Sequence, residues 1–220
     1  MLRYLYKYVL LPSICNCRVK RDMNRKDRIL KMAEQMGIIR PRDVEEAGIP
    51  REYLLRLYRE EKMIRIGRGL YALPETLTSE AISLAEVAKR VPHAVVCLIS
   101  ALQFHNLTTQ IAQRVWIAIE NKRWEPEFDY PPLEIVRMAE NAFNFGIVEH
   151  EVNLVPVKVY NPAKTVADCF KFRGKVGLDV ALEALRETWR SRQATMDELW
   201  EAAKVCRVAN VMRPYLEAVV

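Results

Sequence analysis

Met63-Ile-Arg-Ile-Gly-Arg-Gly-Leu-Tyr-Ala-Leu73 predicts a small basic hairpin. Two runs of strand-favouring residues, 63–67 and 70–73, flank Gly67-Arg68-Gly69, and glycines at these positions permit a tight turn. Three short helical patterns precede the hairpin, beginning at Asn24. Three helices followed by a hairpin form the ground plan of a winged helix-turn-helix, a module that places one helix in a groove of DNA. We therefore predict such a module at residues 23–76.

The spacing of apolar residues defines the three helices before the hairpin. They are predicted at residues 25–36, 41–47 and 51–61. The third helix can be phased at about 100° per residue, the angle that a turn of 3.6 residues implies. This phasing puts Leu54, Leu57 and Tyr58 together, so these three side chains are expected to face the core.

The opposite face of the third helix and the hairpin carry the predicted DNA-binding residues. They are Arg51, Glu52, Tyr53, Leu55, Arg56, Arg59, Arg65 and Arg68. An arginine can bind guanine through two hydrogen bonds or grip a phosphate, and Arg56 is the favoured base-reading residue. Glu52 has two alternative roles: it accepts a hydrogen bond from cytosine, or it holds Arg56 by a pair four residues apart. Arg68, at the tip of the wing, is predicted to reach the neighbouring groove or its phosphates.

The distribution of charge supports a polyanionic partner at the N-terminal end. The formal net charge of the chain is +6, with +4 in residues 1–22, +3 in residues 23–76 and −1 in residues 77–220. Such a basic region is the footprint expected for phosphate. The alternative is that the winged module docks a protein and that its basic face is simply solvated.

Residues 1–22 mix aromatic, apolar and basic residues but are not expected to form a secretory leader. The apolar run is short, contains Lys7 and lacks a small-residue cleavage site. Elsewhere the chain has no run of about 20 apolar residues that would cross a membrane. Because a helix pattern starts right after Met23, we expect the biological start there and treat residues 1–22 as an extension that is not native.

The cysteines and histidines indicate a reduced, cytoplasmic protein without a metal or other cofactor. Five cysteines are an odd number, and only Cys15 and Cys17 lie close together, so a disulfide framework is not expected. The three histidines are dispersed along the chain. Structural zinc needs four converging ligands, so we predict no metal site.

Residues 77–220 predict a second, mixed α/β domain with a small sheet and C-terminal helices, which makes the whole chain α+β. Strands are expected at 114–119 and 133–138, with two more around Asn153 within 146–160. Helices are expected at 80–90, 95–107, 162–172, 178–190, from Thr195 onward, and at 208–219 with an interruption at Pro214. The connection at 76–79 is short, so the two domains are expected to pack together.

Three motifs carry a resemblance to a known family. The winged module ends in Arg-Gly-Leu-Tyr-Ala-Leu-Pro74, and Ile99-Ser-Ala-Leu-Gln-Phe-His-Asn-Leu107 and Pro162-Ala-Lys-Thr-Val-Ala-Asp-Cys169 follow. Together they resemble the AbiEi antitoxins over nearly all of residues 23–220. The resemblance implies an antitoxin of a type IV (abortive infection) toxin-antitoxin pair that represses its own operon by binding inverted repeats in double-stranded operator DNA. It also implies neutralisation of a nucleotidyltransferase-like toxin encoded by the neighbouring gene. A competing hypothesis is that the chain neutralises this toxin by direct contact through its C-terminal domain and uses the winged module to dock a protein.

No enzyme is predicted, and no catalytic residue is assigned. The chain lacks GxxxxGK[ST], GxSxG and HExxH. Lys164 and Asp168 stand four apart on one helix; a catalytic pair is possible, but a surface or capping ion pair is favoured. His105 is interpreted as a hydrogen-bonded packing residue.

A charged loop offers a candidate contact for a partner. Trp124 lies in Lys122-Arg-Trp-Glu-Pro126, beside two basic residues. Exposed aromatic side chains are enriched at interfaces, so Lys122, Arg123 and Trp124 are predicted to bind a partner protein or nucleic acid.

Overall fold

The computed structural model describes residues 24–76, 82–128 and 130–219. The predictions for residues 1–22, the start at Met23, Cys15 and Cys17, and most of the connection at 76–79 fall outside these ranges. Within them the chain is mixed α+β, which confirms the predicted fold class. It contains a three-stranded sheet near the N-terminus and a five-stranded sheet further along the chain.

The N-terminal part has the predicted order of three helices and a hairpin. Its elements are α1 (Arg25–Met36), β1 (Ile38–Ile39), α2 (Pro41–Glu46), α3 (Glu52–Arg59), β2 (Ile64–Gly67) and β3 (Leu70–Ala72). The short strand β1 was not predicted, because two residues give no periodicity to detect. It pairs antiparallel with β3, which makes β3 the central strand of the sheet.

The core of this part confirms most of the phasing of α3. Leu54 and Leu57 are fully buried, in a cluster with Ile29 and Ala33 of α1. Tyr58, however, is 43% exposed, so its assignment to the core was wrong. Its ring packs against the Tyr71 ring of β3 in a T-shaped arrangement, with the centroids 5.8 Å apart.

A short 3-10 helix, Pro74–Thr76, follows β3, and thirteen further helices and strands come after it in the described residues. They are α4 (Ile82–Arg90), β4 (Val95–Val96), α5 (Leu98–Phe104), β5 (Val115–Glu120), β6 (Leu133–Met138), α6 (Glu140–Asn144), β7 (Ile147–Val152), β8 (Val155–Tyr160), α7 (Pro162–Lys171), α8 (Arg173–Val176), α9 (Leu178–Arg190), α10 (Met196–Val205) and α11 (Ala209–Val219). The second sheet has the strand order β6-β5-β4-β8-β7. The β4–β8 and β5–β6 pairs are parallel, and the β4–β5 and β7–β8 pairs are antiparallel.

Two predicted helices are corrected. Residues 95–107 do not form one helix, because Val95 and Val96 pair with β5 at the centre of the sheet and only then does α5 begin. The predicted interruption at Pro214 is also wrong, since α11 continues through this residue. The helix predicted from Thr195 onward begins with a capping box: the Thr195 hydroxyl accepts a hydrogen bond from the Glu198 amide, and the Glu198 carboxylate accepts one from the Thr195 amide.

The large sheet has a buried cluster of side chains on each face, and successive residues of β5 alternate between the two clusters. Val115, Ile117 and Ile119 pack with the α4 side, whereas Trp116 and Ala118 pack with the C-terminal helices. This alternation follows from the two-residue period of a strand.

Apolar contacts join the two parts of the chain, as the short connection predicted. Leu70 and Ala72 of the small sheet share a buried cluster with Ala85 of α4 and valines of β8. Gly37 lies so close to the turn between β7 and β8 that a Cβ atom there would come 1.8 Å from the Asn153 carbonyl oxygen. The winged module therefore rests directly on α4 and on the large sheet.

Candidate nucleic-acid interface

The eight side chains predicted to bind DNA lie at the surface of α3 and the hairpin. Tyr53 is half-buried, and the other seven are exposed. The charges of α3 also suit its helical dipole, with Glu52 in the first turn and Arg56 and Arg59 in the last.

Glu52 and Arg56 form an ion pair on the exposed side of α3. The Arg56 guanidinium donates two hydrogen bonds to the Glu52 carboxylate, one of them from Nε over 3.2 Å. This carboxylate raises the pKa of Arg56, so the guanidinium keeps its charge. Of the two roles considered for Glu52, the protein without DNA adopts the intrahelical one.

Tyr53 lies between Arg25 and Arg56. Arg25 was not among the residues predicted to lie at this face. The guanidinium carbons of Arg25 and Arg56 are each 5.3 Å from the centroid of the Tyr53 ring. Arg25 also donates a hydrogen bond to the Tyr53 hydroxyl over 3.2 Å. Because Arg25 belongs to α1, only the packing of α1 against α3 brings it to this face.

Several cations of the winged module are neutralised by acidic neighbours, and others are not. Lys26 pairs with Glu60, lowering the pKa of that carboxyl, and Arg42 pairs with Glu46. In residues 24–76, the cations of the predicted interface without an ion-pair partner are Arg51, Arg59, Arg65 and Arg68. These four unpaired cations lie at the start of α3, on α3 and on the wing, and within the same residues Arg25, Arg28 and Lys31 of α1 also have no ion-pair partner.

The wing presents Arg68 at its turn and is supported at its base. Gly69, with φ of +71°, allows the tight reversal that follows Arg68. The register of β2 and β3 shifts between Arg65 and Gly67. A Cβ at Gly67 would come 2.2 Å from Glu86 Oε1 of α4, so this glycine lets the wing lie against the second part of the chain.

The charged loop after β5 exposes the predicted partner-binding residues. Lys122 and Arg123 are exposed, and Trp124 is 91% exposed. Arg137 of β6 donates hydrogen bonds to the carbonyl oxygens of Asn121 and Arg123, each over 2.9 Å. The loop therefore has an internal support, although its most apolar side chain meets solvent.

Lys164 and Asp168 form an ion pair, but the predicted surface position is wrong. Both side chains are fully buried in α7, and Asp168 also accepts a hydrogen bond from Cys206 Sγ over 3.3 Å. Burial raises the pKa of Asp168, although the attraction of Lys164 opposes the shift. Because neither side chain reaches solvent, the pair is a packing element of the core.

His105 has the predicted packing role. Its Nε2 atom is 2.8 Å from the Tyr160 carbonyl oxygen, and burial lowers the pKa of the imidazole against the opposing effect of this hydrogen bond. Across residues 24–76, 82–128 and 130–219, no group of three or more His, Cys, Asp or Glu side chains is arranged to hold a metal ion. None of the helices in these ranges is long and apolar enough to cross a membrane.

Comparisons with known proteins support the resemblance found in the sequence. Residues 27–74 match the family described as transcriptional regulator, AbiEi antitoxin, which confirms the resemblance over the winged module. This description names a regulator and antitoxin and no catalysis. No curated protein matches the chain. The crystal structure of the RV2827C protein from Mycobacterium tuberculosis is similar with a TM-score of 0.55, at 12% identity, over 89% of this chain and 80% of that chain. At this identity the similarity shows the fold alone.

Proposed function

We propose that this chain, whose residues 27–74 match the AbiEi antitoxin regulators, represses its own type IV toxin-antitoxin operon by binding operator DNA in the cytoplasm. The observation that carries the proposal is the unpaired positive charge of α3 and the wing. Arg59 and Arg68 have no carboxylate partner among the described residues, so their charge is free for phosphate. The operator is expected to contain inverted repeats, as the resemblance implies.

Recognition divides between base contacts and phosphate contacts. In this proposal α3 enters the major groove, and Arg56 leaves Glu52 to read a guanine edge through O6 and N7. Arg51, Arg59 and Arg65 then contact phosphates, which fix the position of α3 without reading sequence. Arg68 reaches the next groove from the wing. Arg25 holds Tyr53 against α3 and so keeps the reading face in place.

The second role in the proposal is to counter a nucleotidyltransferase-like toxin encoded next to the chain. A reporter gene behind the chain's own promoter tests repression, and growth during co-expression with the neighbouring gene tests the antitoxin. We expect the wild-type chain to lower reporter output and to restore growth. The double change Arg56→Ala and Arg68→Ala should relieve repression but leave rescue of growth intact. Full repression by the double variant would contradict the assignment of the interface.

A second candidate function is neutralisation by direct contact. The observation that favours it is the 91% exposed Trp124 on a loop held by Arg137, since a solvated indole is a suitable anchor for a partner protein. Here the chain binds the toxin through Lys122, Arg123 and Trp124. Co-purification of the neighbouring gene product, lost on changing Trp124→Ala, would support this function. Rescue of growth without any co-purification would argue for an indirect antitoxin.

A further inference from the structure

We propose that the second part of the chain adds a phosphate contact to the DNA interface, made by Arg114 beside the wing. The inference rests on the DNA-binding function proposed above and extends its footprint beyond residues 23–76. Arg114 and the wing residue Arg68 line the same surface groove, which has a volume of about 830 Å³. The groove runs between the hairpin and the loop that precedes β6.

Arg114 has a fixed backbone and a free side chain. The Ser100 hydroxyl accepts a hydrogen bond from the Trp116 amide over 2.9 Å, and the Val115 amide donates one to the Pro132 carbonyl oxygen. These two bonds hold the start of β5 directly after Arg114. The Arg114 side chain is exposed, and within the described ranges it has no ion-pair partner. A cation on a rigid base, without a carboxylate, is suited to gripping a phosphate.

Arg90, a third arginine of the groove, has a different task. Its guanidinium pairs with Glu86 over 2.7 Å and lies 4.7 Å from the centroid of the Phe128 ring. It also donates a hydrogen bond to the Tyr130 carbonyl oxygen over 3.0 Å. Because Glu86 balances its charge, Arg90 positions the loop that forms the groove wall. The free positive charges of the groove are those of Arg68 and Arg114.

The shape and position of the groove favour a DNA backbone as its occupant. The groove is open and continuous with the wing, which the proposed function already places on DNA. Phosphates of one strand recur about every 3.4 Å along the helix axis. A DNA strand whose phosphate contacts Arg68 would therefore bring further phosphates past Arg114, which borders the same groove. Glu127 is an exposed carboxylate on the groove wall and would repel phosphates in the groove. Removing its charge should therefore raise the affinity for DNA, whereas removing the charge of Arg114 should lower it.

The experiment measures binding of the full chain to a duplex carrying its own promoter, by fluorescence anisotropy at several salt concentrations. Arg114→Ala should weaken binding about fivefold to tenfold at 0.1 M salt and lower the slope of log K against log salt by about 0.9. Arg114→Lys, which keeps the cation, should retain most of the affinity. Glu127→Gln should tighten binding. Arg186→Ala, an exposed arginine of α9 outside the groove, is the matched control for net charge and should change neither quantity.

The outcomes separate this inference from the proposed function. Arg114→Ala behaving like Arg186→Ala, while Arg68→Ala weakens binding, would overturn the contact at Arg114 and leave the DNA-binding function in place. A wild-type chain that does not bind its promoter would overturn the proposed function and this inference with it. A lower unfolding midpoint of Arg114→Ala than of the wild type would mean that its weaker binding could come from lost stability. In that case the affinities of Arg114→Lys and Glu127→Gln test the contact at Arg114. An unchanged affinity in the Glu127→Gln variant then contradicts the contact.

Discussion

Arg56 is hydrogen bonded to Glu52, one turn earlier on the exposed face of α3. The pair holds the proposed base-reading guanidinium against its own helix, with a carboxylate where phosphates would approach. The proposed function therefore requires Arg56 to exchange Glu52 for a base or a phosphate. In the proposed complex the Glu52 carboxylate would lie close to the duplex and suppress binding to wrong sequences, because it leaves a repulsive charge unless the correct base compensates it.

The change Glu52→Gln tests this role. We expect the variant to bind unrelated DNA several-fold more tightly, because a carboxylate near phosphates is removed, and to lose part of its preference for the operator. Competition titrations with operator and scrambled duplexes measure both quantities. The matched control is Glu46→Gln, which breaks a similar arginine pair on α2 and should leave the preference unchanged. Equal preference in both variants would argue against a role for Glu52 in discrimination.

The buried pair in α7 predicts a large asymmetry between single and double substitutions. Lys164→Met leaves the Asp168 carboxylate buried without its cation and should lower the free energy of unfolding by about 3 to 5 kcal/mol. Lys164→Met combined with Asp168→Leu removes both charges and should recover much of that loss. Urea denaturation measures the difference. A double variant that is less stable than the single one by a further several kcal/mol would show that the pair stabilises the fold.

Asp43 predicts how stability depends on pH. Burial raises the pKa of this carboxyl, but hydrogen bonds from the side chain and backbone of Arg40 outweigh burial, and the pKa lies below its ordinary value. A carboxyl with a lowered folded-state pKa stabilises the protein above its unfolded-state pKa, and this contribution is lost as the pH falls through the folded-state value.

Asp43→Asn should therefore cost about 1 kcal/mol of unfolding free energy near neutral pH. The difference from the wild type should shrink once the pH falls below about 4, the ordinary pKa of an aspartate. Thermal or urea unfolding between pH 3 and pH 7 measures it. A difference that grows as the pH falls would contradict the sign of the shift.

Changing Trp124 should affect binding of a partner without affecting the stability of the fold. Because the indole is 91% exposed, Trp124→Ala should change the unfolding free energy by no more than about 0.5 kcal/mol. If the loop binds a partner, the same change should abolish capture of the neighbouring gene product by the tagged chain. Trp116→Ala is the contrast, because Trp116 packs against the core and its loss should destabilise the protein. A stable Trp124→Ala variant with undiminished capture would exclude this loop as the contact.

The sequence predicted best those elements whose residues carry a long periodic pattern. The helix of residues 178–190 was predicted with its correct ends, and the capping box at Thr195 is present. Val95 and Val96 were misassigned, because a short apolar run gives the same signal for a buried strand as for the start of a helix. Only pairing with β5 distinguishes them.

The same limit applies to the candidate interface. The outward face of α3 follows from helical periodicity, so Arg56 and Arg59 could be identified from the sequence. Arg25 and Arg114 reach the interface through contacts between distant segments, which a local pattern does not contain. The buried position of Lys164 was also missed, since a charge pair four residues apart looks the same on a surface as in a core.

The most direct test of the account is a titration of the wild-type chain and the Arg56→Ala, Arg68→Ala double variant against the chain's own promoter and a scrambled duplex of equal length. Salt should be varied between 50 and 200 mM, with unfolding midpoints compared first. The account predicts that the wild type prefers the promoter, that its affinity falls steeply with salt, and that the double variant loses most of the preference and has a shallower slope. Equal affinity of wild type and double variant for the promoter at every salt concentration would contradict it.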